Sequence, residues 1–284
     1  MYSNTLVSTT ELAAHLDDPH WVIVDCRFSL ADTEYGRRAY AEGHIPGAHY
    51  LHLDEDLSSP ITPQTGRHPL PDPQMLSAKL QTLGIGINRQ VVVYDDSYGS
   101  MAVRLWWLLR WLGHPAVALL DGNFQTWMRE KRPLSKAIPS VAHHGSCPCL
   151  PERSAWLSTA EMETIVNAGS QLLIDARNEM RFTGEIDPID PVAGHIPGAI
   201  NWVFEENLDI DGTYLPPEAL RENYQALLNG RSPTEVIHVC GSGVTACHNL
   251  LAMEIAGLPG SRLYPGSWSE WIRDPAHPIA TGEV

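Results

Sequence analysis

The feature that most restricts how this chain can fold is that it repeats itself. Ser8-Thr-Thr-Glu11 returns as Ser158-Thr-Ala-Glu161, and Val22-Ile-Val-Asp-Cys-Arg27 as Leu172-Leu-Ile-Asp-Ala-Arg177. Gly43-His-Ile-Pro-Gly-Ala48 matches Gly194 to Ala199, Val91-Val-Val-Tyr-Asp95 matches Val236-Ile-His-Val-Cys240, and Gly122-Asn-Phe-Gln-Thr-Trp127 matches Gly266-Ser-Trp-Ser-Glu-Trp271. The offset stays near about 150 residues throughout, which is the signature of a duplicated unit. With 284 residues and 43% hydrophobic content, each copy has enough apolar surface to bury its own core.

Within each copy, short apolar runs alternate with helical segments. The periodicity predicts helices over Leu76–Leu83, Met101–Leu112 and Phe124–Glu130 in the first copy, and over Pro217–Leu228 and Val244–Ala256 in the second. Ser8 and Ser158, each followed three residues later by Glu, predict capping boxes that open a further helix in each copy. Such alternation predicts an α/β chain in which each copy is a mainly parallel sheet with helices on both faces. Ligands then bind beyond the carboxyl ends of the strands. The stretch from Lys131 to Arg153 is rich in Pro, His and Cys and lacks periodicity, so it reads as a connector. The expected division is residues 1–135, a linker at 136–154, and residues 155–284.

Chemistry concentrates in one stretch of the second copy. Val236-Ile-His-Val is an apolar run; it breaks at Cys240-Gly-Ser-Gly243 and resumes as a periodic segment closed by Gly257. This reads as strand, tight loop, helix, with Cys240 at the strand's carboxyl end. Two glycines permit positive φ, so successive N–H groups can turn inward as an anion-binding nest, to which the helix end adds partial positive charge. Cys240 is expected to be a thiolate nucleophile there. The competing reading is a buried core cysteine, since free Cys is among the most buried residue types. Cys247, among apolar neighbours inside the following helix, reads as core. In the first copy Asp95 stands where Cys240 does, and the loop Asp96-Ser-Tyr-Gly-Ser-Met-Ala102 lacks the close glycine pair. The first copy therefore cannot carry out the same sulfur chemistry; its expected role is structural, with side chains lent to a site between the copies.

Charge and cysteine usage narrow the partners. A formal net charge of -15 opposes phosphate backbones and argues against nucleic acid. No apolar run reaches membrane-spanning length, and the stretch Met1 to Glu11 lacks the basic start and apolar core of a secretory signal, so no membrane partner and a cytoplasmic location are expected. Five cysteines, Cys26, Cys147, Cys149, Cys240 and Cys247, form no disulfide framework. Cys147-Pro-Cys149, with His143 and His144 just ahead, lacks the second half of a zinc site and reads as a metal-free linker.

The loop Cys240 to Ala246, CGSGVTA, and the repeated GHIPGA identify a resemblance to the two-domain rhodanese-type sulfurtransferases over nearly the whole chain, with the loop most like that of the 3-mercaptopyruvate enzymes. The resemblance implies tandem rhodanese-like domains, the first non-catalytic and the second catalytic. It also implies that sulfur moves from a small anionic donor through a Cys240 persulfide to a thiol, cyanide or thioredoxin-like acceptor, with no metal or organic cofactor. By position, Arg181 matches the family's carboxylate-binding arginine; read from the residues alone it is equally a surface arginine or a partner of Glu179 or Glu185. Asp54 and His68 match an aspartate and a histidine proposed to form a relay with loop Ser242. Without the family, His68 reads as a solvated loop histidine. Gly241, Gly243, Val244 and Thr245 complete the expected cradle, Thr245 donating to the persulfide.

A second arginine common among mercaptopyruvate enzymes falls near Asp190 here, which pulls toward thiosulfate as donor; the uncharged Gly241-Ser242-Gly243 pulls back toward mercaptopyruvate. Trp268 and Trp271 read either as pocket wall or as packing, and His44 and His195 as residues of backbone turns. Two other classes compete: a phosphatase, disfavoured because Ala246 and Cys247 stand where a phosphate-clamping arginine is needed, and a non-catalytic binding module.

Overall fold

The computed structural model describes residues 2–140 and 145–282, and its chain divides into two compact units. The first comprises Met1–Ser59, Leu70–Glu152 and Ile210–Tyr214; the second comprises Pro60–Pro69, Arg153–Asp209 and Leu215–Val284. Two short segments thus belong by contact to the unit that their place in the sequence does not suggest. His143 and His144 lie outside the described residues.

In the first unit the elements run β1 (Leu6–Val7), α1 (Thr9–Ala14), β2 (Trp21–Asp25), α2 (Tyr35–Glu42), β3 (Ala48–Tyr50), α3 (Pro73–Thr82), β4 (Gln90–Tyr94), α4 (Ala102–Trp111), β5 (Val117–Leu120) and α5 (Asn123–Arg129). All strand pairs are parallel, in the order β1-β5-β4-β2-β3. β4 is buried at every position, which is why it reads as a continuous apolar run rather than an alternating one. Ser8 caps α1 by accepting from the Glu11 amide, and Asp72 caps α3. Ile23, Val92, Tyr94, Ala118 and Trp127 form the heart of this unit's core.

The second unit repeats the plan with α6 (Thr159–Ala168), β6 (Leu172–Asp175), α7 (Glu179–Thr183), β7 (Ala199–Asn201), α8 (Pro217–Leu228), β8 (Val236–Val239), α9 (Ala246–Ile255), β9 (Arg262–Leu263) and α10 (Ser267–Trp271). Its parallel order is β7-β6-β8-β9. A parallel bridge from Trp156 to Leu263 takes the place that β1 fills in the first unit. The capping box at Ser158 is complete in both directions. Trp268 and Trp271 resolve as packing: both are buried in the core with Leu173, Phe182, Ile237 and Tyr264, and their indole N–H groups donate to Val192 and Pro278 carbonyls at 2.9 Å. Within the described residues no helix is long and apolar enough to cross a membrane.

The connector is not a free tether where it is described. Ser135 pairs with His44, Gly145 donates to Gln81, and the Cys147 carbonyl accepts from Ser77 at 3.1 Å, all within the first unit. Burial pushes the Cys147 thiol up to about 12, so it stays protonated. His44 and His195 are buried, with Nδ1 against the Tyr40 and Phe182 carbonyls at 2.8 Å, which makes them turn anchors.

The strand that leads into Cys240 carries a pH liability. His238 on β8 is fully buried, burial lowers it from 6.5 to about 3, and its only ring contact of hydrogen-bond length among the described residues is Nε2 to Met253 Sδ at 3.3 Å. Because the folded value lies below the unfolded one, the unfolded chain takes up the proton first. Stability is whole above about pH 6.5 and falls as pH drops toward 3, by about 2 kcal/mol at pH 5 from this residue. Urea titrations at pH 7 and pH 5 should show a smaller loss in His238→Leu than in the parent chain; equal losses would assign the acid sensitivity elsewhere.

Candidate active site

Cys240 immediately follows β8, between neighbours β6 and β9, and Asp175 pairs in register with Val239 just before it. The residue is 3% exposed, so its side chain is nearly enclosed. The loop is pinned from behind by the start of α10: the Cys240 amide donates to Ser267 Oγ at 3.1 Å, and the Cys240 and Gly241 carbonyls accept from Trp268 and Ser269. Gly243 has φ +73, and a β-carbon there would stand 2.3 Å from the Pro265 carbonyl oxygen. Glycine is required there for both reasons. The Val244 and Thr245 carbonyls start the helical turn by accepting from Cys247 and His248, and Cys247 is buried core inside α9 as expected.

What this loop holds is seen by comparison with its counterpart. In the first unit the Asp95 carboxylate folds into its own loop: Oδ1 accepts from the Ser97 and Gly99 amides and Oδ2 from those of Met101 and Ala102, each at 2.8 Å. Strand, loop and helix together form a cradle of amides around one acid group, which in this unit comes from the chain itself. In the second unit, the amides of Gly241, Ser242, Val244 and Thr245 meet no acceptor among the described residues. Cysteine is too short to fill the cradle as Asp95 does, so its donors are left for an outside atom.

Segment 60–69 closes one side. The Gly66 amide donates to Glu270 Oε2 at 3.0 Å, the Arg67 amide to Ser269 Oγ at 3.0 Å, and Arg273 Nε to the Thr65 carbonyl at 3.0 Å. These contacts bring His68 Nδ1 to 2.7 Å from Ser242 Oγ, both residues being buried. His68 is therefore no solvated loop residue. Asp54 is an exposed residue of the first unit whose amide donates to His52 Nδ1 at 3.2 Å.

Arg181, on α7, is paired neither with Glu179 nor with Glu185. Its Nε donates to Asp187 Oδ1 at 3.1 Å and its Nη2 to Asp190 Oδ2 at 2.8 Å. Arg67, which the sequence reading did not select, binds the other oxygen of Asp190. Its only signal in the sequence was adjacency to His68. Beneath the site, Arg177 grips Asp175 through Nε and Nη2, donates to the Gly194 carbonyl at 2.8 Å, and lies over the Trp268 ring. Burial lowers Arg177, but the charge of Asp175, the hydrogen bonds to its carboxylate and the charge of Asp187 outweigh it, and the net direction is upward; Cys240 is close enough to couple to it as well. A fixed cation therefore lies within electrostatic reach of Cys240.

This arrangement suits a buried sulfur nucleophile beside unfilled amides and a hydroxyl–imidazole pair. Comparison with known proteins shows the family. The model of the rhodanese-like domain matches residues 8–130 and 158–274. A Pseudomonas aeruginosa protein named "Probable 3-mercaptopyruvate sulfurtransferase" is 49% identical over 285 residues, covering 100% of both chains. The mouse protein named "Thiosulfate sulfurtransferase" is 33% identical, covering 94% of this chain and 92% of its own. The crystal structure of a 3-mercaptopyruvate sulfotransferase from Escherichia coli superposes with a TM-score of 0.79 at 31% identity, covering 94% of this chain and 100% of that one. The chain belongs to the rhodanese-like family and carries its domain twice.

Proposed function

We propose that the protein is a sulfurtransferase taking sulfur from 3-mercaptopyruvate, with the second unit catalytic and the first not. The observation that carries this reading is the unfilled amide cradle after Cys240, set against the same cradle filled by Asp95 in the first unit. The full-length relatives named for sulfur transfer support it.

In the proposed reaction the Cys240 thiolate attacks the donor's sulfur. A sulfur–sulfur bond forms, the carbon–sulfur bond breaks, and its electron pair leaves with pyruvate as the enolate. The thiol hydrogen of the donor ends on the methyl carbon of pyruvate, and Ser242 with His68 is the pair we assign to move it. The persulfide that remains lies among the amides of Gly241 to Thr245. A thiol, cyanide or thioredoxin-like dithiol then takes the outer sulfur and returns the thiolate. Arg181 is assigned to the donor's carboxylate. Five free cysteines suit a reducing compartment, and we propose a cytoplasmic location.

Initial rates with 3-mercaptopyruvate and thiosulfate, measured side by side, test the donor. We expect the first to be preferred. Thiosulfate releases sulfite, which needs no proton on carbon, so Ser242→Ala should lower kcat for mercaptopyruvate by about 100-fold and for thiosulfate far less. Preference for thiosulfate, with Ser242→Ala affecting both donors alike, would overturn the assignment.

A further inference from the structure

Gly241 is the residue next to the nucleophile, and two guanidinium groups approach it. A β-carbon placed on Gly241 would stand 2.7 Å from Arg67 Nη2, 3.3 Å from Arg181 Nη2 and 3.6 Å from Arg181 Nη1. The absence of a side chain lets both cations reach the loop. Asp190 bridges them, one oxygen to Arg67 and the other to Arg181 Nη2. Its side chain is buried, and Arg67 Nε is buried with no acceptor among the described residues, so the arginine pair has donor capacity to spare.

The two aspartates here are not equivalent. Burial pushes Asp187 up, but the amides of Asp190 and Ile189 and the Arg181 guanidinium outweigh it, and the carboxyl lies below its ordinary value. Asp187 is a fixed structural anion. Asp190 moves the other way: burial pushes it up, and Arg67 and Arg181 offset this only in part. It is the anion less firmly held.

We propose that Asp190 is a specificity-determining residue, an internal carboxylate seated across Arg67 and Arg181 where a donor's carboxylate binds, and that Arg67 is a donor-binding residue alongside Arg181. This rests on the sulfur-transfer reading above. A planar monocarboxylate can replace the Asp190 carboxylate on the two guanidinium groups one for one. A dianion without a carboxylate cannot, and it meets the remaining negative charge with twice the penalty. Asp190 thereby selects carboxylate donors without adding any contact to them.

The test is kcat/KM for 3-mercaptopyruvate and thiosulfate in the whole chain and in Asp190→Asn and Arg67→Gln. Asp190→Asn keeps the shape and removes the charge, and should shift the donor ratio toward thiosulfate by about tenfold. Arg67→Gln should raise KM for mercaptopyruvate by about tenfold with kcat within about threefold. A folded Asp190→Asn with an unchanged ratio would overturn the proposal. If that variant does not fold, an unchanged KM in Arg67→Gln would overturn it instead. Failure of the parent chain to accept sulfur from either donor would refute the sulfur-transfer reading itself, a result distinguishable from both.

Discussion

Cys240→Ser should lose turnover with either donor by roughly 10⁴-fold or more while remaining folded. The substitution is nearly isosteric and Cys240 is enclosed by its own loop, so the amide bond to Ser267 and the carbonyl bonds to Trp268 and Ser269 can all persist. What disappears is a polarisable sulfur able to attack another sulfur and to carry it. A hydroxyl at the same place has neither the nucleophilicity nor a stable sulfur adduct. Steady-state assay with a thiol acceptor, beside thermal melting of the same preparation, separates loss of chemistry from loss of fold. Retention of more than about a hundredth of the activity would mean that another group carries the sulfur.

The largest expected effect on stability lies beneath the loop. Asp175 and Arg177 are both buried, with side chains 1% exposed, and are joined by contacts of 2.8 to 3.1 Å. Arg177→Met leaves the Asp175 carboxylate without its counter-charge in the interior, and removing one partner of such a pair costs about 3–5 kcal/mol. It also strands the Gly194 carbonyl and removes the cation from the face of Trp268. Urea unfolding should show a loss of that size. The double variant Asp175→Asn/Arg177→Met should recover part of it, because the orphaned charge goes with its partner. Strict additivity of the two single losses would mean that the pair is not coupled. The first unit repeats the device with Asp25 and Arg27, and there Tyr94 donates to Asp25 at 2.7 Å as well.

The fold was legible because it rests on local and periodic signals. The strands β4 and β8, the helix Pro217–Leu228 and the capping Ser158 follow from apolar runs and cap residues within a few positions of one another. The duplication then supplied the parallel architecture. The loop at Cys240 was legible for the same reason, its glycines being neighbours in sequence. Contacts made over long separations were not. That segment 60–69 packs with the second unit depends on Arg67, Gly66 and Thr65 meeting residues 269, 270 and 273, and no pattern in either stretch announces it. Beside its match to the carboxylate-binding arginine, Arg181 has Glu179 and Glu185 as neighbours in sequence, whereas the turn at Ile189 and Asp190, held by Asp187, folds two other carboxylates back onto it. By residue type Asp95 reads in the sequence as no sulfur nucleophile. That its carboxylate occupies four amides of its own loop is a matter of side-chain length, visible only in three dimensions.

The central claim is that Cys240 accepts one sulfur atom and holds it among the loop amides. Intact mass spectrometry of the reduced chain, taken before and after brief exposure to 3-mercaptopyruvate without an acceptor, tests it directly. The expected result is a gain of a single sulfur, lost on adding thiol and absent from Cys240→Ser. No gain in the parent chain, or the same gain in the variant, would contradict it.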